Sequence, residues 1–484
     1  MLFNSYIYIF IFFPLTLLAG TVLGQLRKAS FKAALVVVSV VFYGWMDIKW
    51  LPLFSASMVL NFLIAGLLAS RANKRPVLIA GIAANVAFLL LFKYTNWIIS
   101  NLNYALDWEL SPLNLVFPAG ISFYTFTQIS YLVDLYRGEA EKTGLLDYAL
   151  FVSFFPKVMQ GPIARYKEIA PQLGQAGNFK LDHRNIAEGL LLFSIGLFKK
   201  VIIADTLAGP VGTAFDVAQS LDFVESWVAV LAYTFQIYFD FSGYTDMALG
   251  SALMLNVHLP VNFLSPYKSR NLQEFWQKWH ITLGAFLRDF LYKPLGGSRN
   301  GLPNTCRNLV ITFLIAGMWH GAGWNFILWG LMHGIGLAIH RVWKLTRIRL
   351  PYVLSWAVTF LFVCFSWIFF RAQAWTDAIK VLKGCLGLSG IVLPSEFSSR
   401  LSFLKIFGVN FDVFLSNIGL HRREFFELLL YLTMAAVLSF FASNSIQITR
   451  SFSGRIRSSV FASILIVCSI LNMHKPTGFL YFSF

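Results

Sequence analysis

Charge is what this sequence has least of. Only 13% of its 484 residues are Asp, Glu, Lys or Arg, whereas a soluble chain carries roughly a quarter. With 57% hydrophobic residues in runs along the whole length, that scarcity excludes a string of soluble domains. It predicts an all-α polytopic membrane protein, a single membrane-embedded unit over residues 1–484 with about ten or more spans. Cysteine is also sparse. Cys306, Cys364, Cys385 and Cys468 are scattered and form no CxxC pair, so neither a disulfide framework nor a metal site is expected. The absence of internal repeats leaves an inverted-repeat transporter without support. No basic residue precedes the first apolar run, Tyr6–Leu23, whereas Arg27 and Lys28 follow it. That order predicts an uncleaved first span with its N-terminus outside.

What charge there is, is mostly positive: 39 Lys and Arg against 23 acids, a formal net charge of +16. Most of the cations sit in short links between apolar runs, where the positive-inside rule places them. The excess is therefore topological, with membrane lipids as surroundings and no nucleic-acid partner expected. The links Arg27–Lys32, Arg71–Arg75, Arg341–Arg349 and Arg450–Arg457 are assigned to the cytosol, and Asp107 to the outside. Lys49 and Lys93 then fall on the outer side, against the bias. Spans are expected at Leu51–Ser70, from Val77 to about Phe92, at Leu113–Leu135 (broken near Pro118 and Gly120), at Glu188–Asp205 (broken at Lys199-Lys200), at Trp227–Met254 and at Tyr352–Phe370, among others. Phe151–Val158 is too short for a span and suggests a re-entrant piece. Within Trp227–Met254, Gln236 and Asp240 lie four apart and share a helical face. A structural pair and a substrate contact both remain open for them.

The stretch Asn271–Gly334 stands apart. It holds His280, His320 and His333 together with Trp276, Trp279, Trp319, Trp324 and Trp329, and so brings proton-transfer groups among large aromatic walls. Its first half has apolar residues at Leu272, Phe275, Trp276, Trp279, Leu283, Phe286, Leu287 and Phe290, the spacing of one continuous helix lying along the membrane surface. Asn271 and Glu274 fit its N-terminal cap. His280 falls at the edge of the stripe, and Lys278, Arg288 and Asp289 lie off it. The second half runs through apolar Leu309–Met318 into Trp319-His320-Gly321, which puts an ionisable residue in or near the hydrocarbon layer, where it is costly unless used or satisfied. An imidazole can take or give a proton near neutral pH, as the activation of a hydroxyl requires. Gly321 and Gly323 are expected to let the backbone bend and a substrate approach. In one straight helix His333 would point away from His320, which favours a structural role for it.

These motifs carry a resemblance. WQKWHITLGAFLRDFLYKPLGG and GMWHGAGWNFILWGLMHG, with FPAGISFYTFTQISYLVDLYRG, MQGPIARYKE, QIYFDFSGYTDMALG and the terminal FLYFSF, resemble the membrane-bound O-acyltransferase family, specifically its bacterial alginate O-acetyltransferase branch. The resemblance implies re-entrant and interfacial helices around a central reaction chamber in the bacterial inner membrane. It implies His320 as the catalytic histidine and His280 facing the same chamber, with Trp279, Trp319, Arg288, Asp289, Gln236 and Asp240 as candidates for substrate contact. It further implies no bound cofactor, acetyl-CoA or another acyl thioester as donor, a periplasmic SGNH-like acetyltransferase partner, and a polysaccharide synthase complex. A transporter without acyl chemistry, or an acyltransferase of the same superfamily acting on a lipid or peptide, remains open at this stage.

Overall fold

A computed structural model describes residues 1–26, 28–115, 117–174, 182–420, 422–452, 456–473 and 478–480. Arg27 and Arg455 of the expected basic links, and the last four residues of FLYFSF, lie outside that set. Among the described residues the fold is helical almost throughout. The one sheet is a pair of four-residue strands, Ile391–Pro394 lying parallel to Val409–Asp412.

Among the described residues, four helices are long and apolar enough to cross a membrane on their own: Trp50–Ser70, Lys74–Leu106, Trp324–Thr346 and Tyr352–Arg371. Tyr8–Leu23, Ala29–Gly44 and Ile456–Asn472 are shorter apolar helices. The 32-residue helix Phe223–Met254 shows why composition understates the others. It carries Gln236, Asp240, Ser242 and Asp246, all buried in protein, and a helix wrapped by other helices need not present a continuous apolar surface to lipid. An Asp222–Glu225 capping box starts it, the Asp222 carboxylate accepting from the amides of Val224 and Glu225.

Close backbone contact holds this central helix to His183–Phe198. A Cβ on Gly196 would lie 2.6 Å from the Gly243 carbonyl oxygen, and one on Gly250 would lie 2.5 Å from that of Gly189. Only small residues permit such an approach between helices in a membrane. The expected break at Lys199-Lys200 is a widening instead: Lys199–Ala204 forms a π-helical segment that continues the helix. It turns both cations inward. Lys199 Nζ lies 2.6 Å from Asp246, and Lys200 Nζ lies 2.6 Å from Asp240 and 2.8 Å from Asp205. Buried charges persist when paired in this way, so no break is needed to expose them.

Two other boundaries differ from expectation. The fourth helix runs on past Phe92 to Leu106 and ends at Asp107 in a left-handed conformation, φ 54°. The next helix starts only at Ile121, after Gly120 at φ 73°, where a Cβ would meet the Val158 carbonyl oxygen at 2.8 Å. Leu113–Leu115 is not helical.

Candidate active site

The predicted surface helix is not continuous. Leu272–Lys278 ends at Trp279, and a second helix, Ile281–Leu287, begins after His280, whose φ is 43°. Asn271 does cap the first piece, its side chain accepting from the Glu274 amide at 2.9 Å. Left-handed backbone on a non-glycine residue is strained and persists only where surrounding bonds impose it. Asn262 supplies those bonds: its carbonyl accepts from Ile281 N at 3.0 Å, and its side-chain Oδ1 accepts from Thr282 N at 3.2 Å and Thr282 Oγ1 at 2.7 Å. The kink sends neighbouring side chains into different surroundings. Trp279 packs among Phe263, Tyr267 and Trp367. His280 is fully buried against Phe123, Phe241 and Trp319. A position expected at the edge of an interfacial stripe is thus deep in the protein, because the helix breaks there.

His320 is the last residue of Gly301–His320. Its ring touches Trp319, Trp329 and Phe370 at centroid distances of 4.7, 5.0 and 5.1 Å. Trp319 lies beside both histidines, 6.4 Å from the His280 ring centroid. The carbonyls left open at the end of an α-helix need partners, and here the helix Lys74–Leu106 supplies them. Lys93 Nζ donates to the carbonyls of Trp319 and His320, and the Tyr94 hydroxyl donates to that of Met318.

From His320 the chain turns back through Gly321–Gly323 into Trp324–Thr346. A Cβ on Gly317 would lie 2.3 Å from the Phe326 carbonyl oxygen, and one on Gly330 would lie 2.3 Å from that of Phe313, so small residues again bring two helices together. The backbone at Gly321 and Gly323 is extended, which any residue adopts. Gly321 is required for space, since its Cβ would lie 2.1 Å from the Phe326 ring. A phenyl ring fills the room that the sequence suggested for substrate. His333 has both ring nitrogens engaged, Nδ1 accepting from Trp276 Nε1 at 3.2 Å and Nε2 lying 3.0 Å from Ser366 Oγ.

A cavity of about 720 Å³ lies beside this hairpin, lined by Trp97, Gln236, Gly323, Trp324, Arg371 and Trp375 among others. Phe326 lines it and packs on Phe370, which packs on His320, so two rings separate cavity and imidazole. Gln236 Oε1 is buried without a hydrogen-bond partner among the described residues. Asp240 is engaged: Oδ1 binds Lys200, and Oδ2 accepts from Leu480 N at 3.0 Å. Trp97 stands toward the end of its helix remote from Lys74, and Trp324 at the end of its helix remote from Arg341. The two basic ends therefore share one face of the protein, opposite the cavity.

Arg288 and Asp289 lie elsewhere. Arg288 lies eight helical steps beyond His280, about 12 Å along the axis. Asp289 pairs with Arg288 at 3.1 Å and with Lys293 at 2.7 Å, and the Arg165 guanidinium approaches it at 3.9 Å while also binding Asp134 and Glu139. Burial raises the Asp289 carboxyl, but Arg288 and Lys293 outweigh it and hold it at about 2. The pair thus belongs to a charged brace between the ends of two helical segments. Tyr94, Asn262 and Thr282 went unnoticed in the sequence, and Lys93 was noted only for its place on the outer side. Lys93 alone left a signal there, a cation next to a long apolar run.

An all-helical membrane protein with two buried histidines around one indole is the class that fold and site define. Residues 35–374 match the membrane-bound O-acyltransferase family, and the chain belongs to that family. It is a multi-pass membrane O-acyltransferase. It is 43% identical to a peptidoglycan O-acetyltransferase of Helicobacter pylori, over 83% of this chain and 84% of that protein. It is 35% identical over the full length of both chains to a probable alginate O-acetylase, AlgI, of Pseudomonas putida. A teichoic acid D-alanyltransferase of Bacillus subtilis is 26% identical over 75% of this chain and 97% of its own.

Proposed function

We propose that this enzyme takes acetyl groups from a cytosolic thioester, acetyl-CoA or an acylated carrier, and passes them through the bacterial inner membrane for O-acetylation of an extracytoplasmic polysaccharide. The relatives act on cell-surface polymers by name, and the 43%-identical one makes peptidoglycan the first acceptor to test. A periplasmic SGNH-like partner completes the transfer, in contact with the machinery that makes the polymer. The observation that carries this reading is the placement of His280 and His320 both against Trp319, two rings away from a cavity that faces away from the basic helix ends.

The chemistry follows from that placement. An imidazole nitrogen of His320 accepts the proton of the acceptor hydroxyl, whose oxygen attacks the thioester carbonyl carbon. The carbon–sulfur bond breaks, and the departing thiolate takes up the proton as a thiol. His280 orients the reactants at the other side of the indole. Gln236 meets substrate from the cavity wall, Trp279 and Trp319 are the aromatic neighbours of the bound substrate, and Asp240 holds Leu480 against that wall. Arg288 and Asp289, braced by Arg165 and Lys293, keep the segment that follows His280 in place at the donor side.

The test is transfer of labelled acetyl from acetyl-CoA by protein reconstituted with its periplasmic partner. His320→Ala should abolish transfer while the protein still inserts and folds, and His280→Ala should slow it less completely. Normal turnover by a folded His320→Ala protein would sink the mechanism.

A further inference from the structure

We infer that Asn262 is a positioning residue that fixes the tautomer of His280, keeping the proton on Nδ1 and leaving Nε2 as a bare acceptor. The inference deepens the proposed function, since it rests on His280 serving the acyl-transfer site.

The argument starts from a donor whose identity is certain. The backbone amide of Thr282 can only donate, and it lies 3.2 Å from Asn262 Oδ1, so that end of the carboxamide is the oxygen. The Thr282 hydroxyl accepts from Ile163 N at 3.0 Å, which leaves its own hydrogen for Asn262 Oδ1 at 2.7 Å. His280 Nδ1 lies 3.4 Å from the same oxygen. An oxygen that accepts there calls for a hydrogen on Nδ1. In a neutral imidazole the other nitrogen then carries the lone pair.

The surroundings of Nε2 agree. It is buried and has no hydrogen-bond partner among the described residues, in a setting of Phe123, Phe241 and Trp319 rings. The opposite tautomer would bury an N–H without an acceptor and set two lone pairs against each other at the Asn262 contact. A charged ring would likewise strand one donor. Burying an unpaired donor is the costlier arrangement. The partner of the second ring nitrogen is the usual means of fixing which nitrogen is reactive. Asn262 also imposes the left-handed backbone of His280, so one residue sets both the direction and the protonation of the ring.

The experiment uses full-length protein in lipid nanodiscs, labelled with nitrogen-15 histidine and examined at neutral pH by solid-state NMR. The signals lost in His280→Gln identify His280. The wild type should show a protonated Nδ1 and a bare Nε2, and a protonated Nε2 there overturns the inference without any other variant. Asn262→Leu should mix or reverse the tautomer and lower kcat by about tenfold or more, with KM for acetyl-CoA little changed. Asn262→Asp keeps the acceptor oxygen and should restore the tautomer and much of the rate. Thr282→Val removes one donor to Asn262 without touching His280 and should leave the tautomer unchanged. A tautomer shift in Thr282→Val equal to that in Asn262→Leu would reduce Asn262 to a packing role and overturn the inference. Unchanged turnover in His280→Gln would instead overturn the catalytic reading of His280, while the spectra still decide the role of Asn262.

Discussion

The ammonium of Lys93 donates to the backbone carbonyl of His320 across 2.8 Å, joining residues 227 positions apart in the chain. With the Trp319 carbonyl on the same ammonium and Met318 on Tyr94, the terminus of the histidine-bearing helix is held by side chains of another helix. Lys93→Met should cost about 1–3 kcal/mol for each buried carbonyl left without a donor and should slow transfer by loosening His320. Thermal unfolding in detergent and acetyl transfer measured on the same sample provide the check. Unchanged values for both would show that the terminus is held by other contacts.

His333 has both ring nitrogens engaged by protein. Because Nδ1 accepts from Trp276, the Nε2 proton faces Ser366. His333→Phe strands the Trp276 N–H and should lower stability by about 1–3 kcal/mol while leaving the kcat of the folded fraction within a few-fold of wild type. A collapse of kcat to the His320→Ala level at normal stability would move His333 into the chemistry.

The hairpin tolerates nothing larger at Gly330. Its Cβ would meet the Phe313 carbonyl oxygen at 2.3 Å, a backbone atom that cannot swing aside. Gly330→Ala should cost at least the 1–3 kcal/mol typical of overpacking. Gly323→Ala, whose nearest neighbour would be the Phe326 ring at 3.6 Å, should be nearly silent. Folded yield by fluorescence-detected size exclusion ranks the two.

Acid should release the brace at Asp289. A carboxyl held at about 2 in the folded protein, below its ordinary 3.8, stabilises the fold above pH ~4, and that stabilisation is lost as pH falls toward 2. Asp289→Asn should lower the unfolding temperature at pH 7 and flatten its decline between pH 4 and 2. An identical acid slope in wild type and variant would remove Asp289 from the brace.

Much of this was legible in the sequence, for identifiable reasons. Apolar runs announced the helices, and His280, His320 and His333, grouped with tryptophans in the sequence, also pack among tryptophans in the fold. The break at His280 was hidden because its apolar stripe continues unbroken from Leu272 to Phe290. Asn262, which binds Ile281 and Thr282 from outside the stripe, holds the turn. The role of Lys93 was hidden too, since a link spanning 227 residues has no periodic trace. Lys199-Lys200 misled as a break because the carboxylates that neutralise the pair are largely on another helix.

The span between Lys93 and His320 also sets a clock. At about 5–20 residues per second of synthesis, roughly ten to forty-five seconds pass between the making of Lys93 and the arrival of the carbonyls it will bind. For that interval a membrane-inserted cation waits beside an apolar helix with its eventual acceptors not yet made. Chains stopped short of His320 keep it in that state for good, which makes them natural targets for membrane quality-control proteolysis.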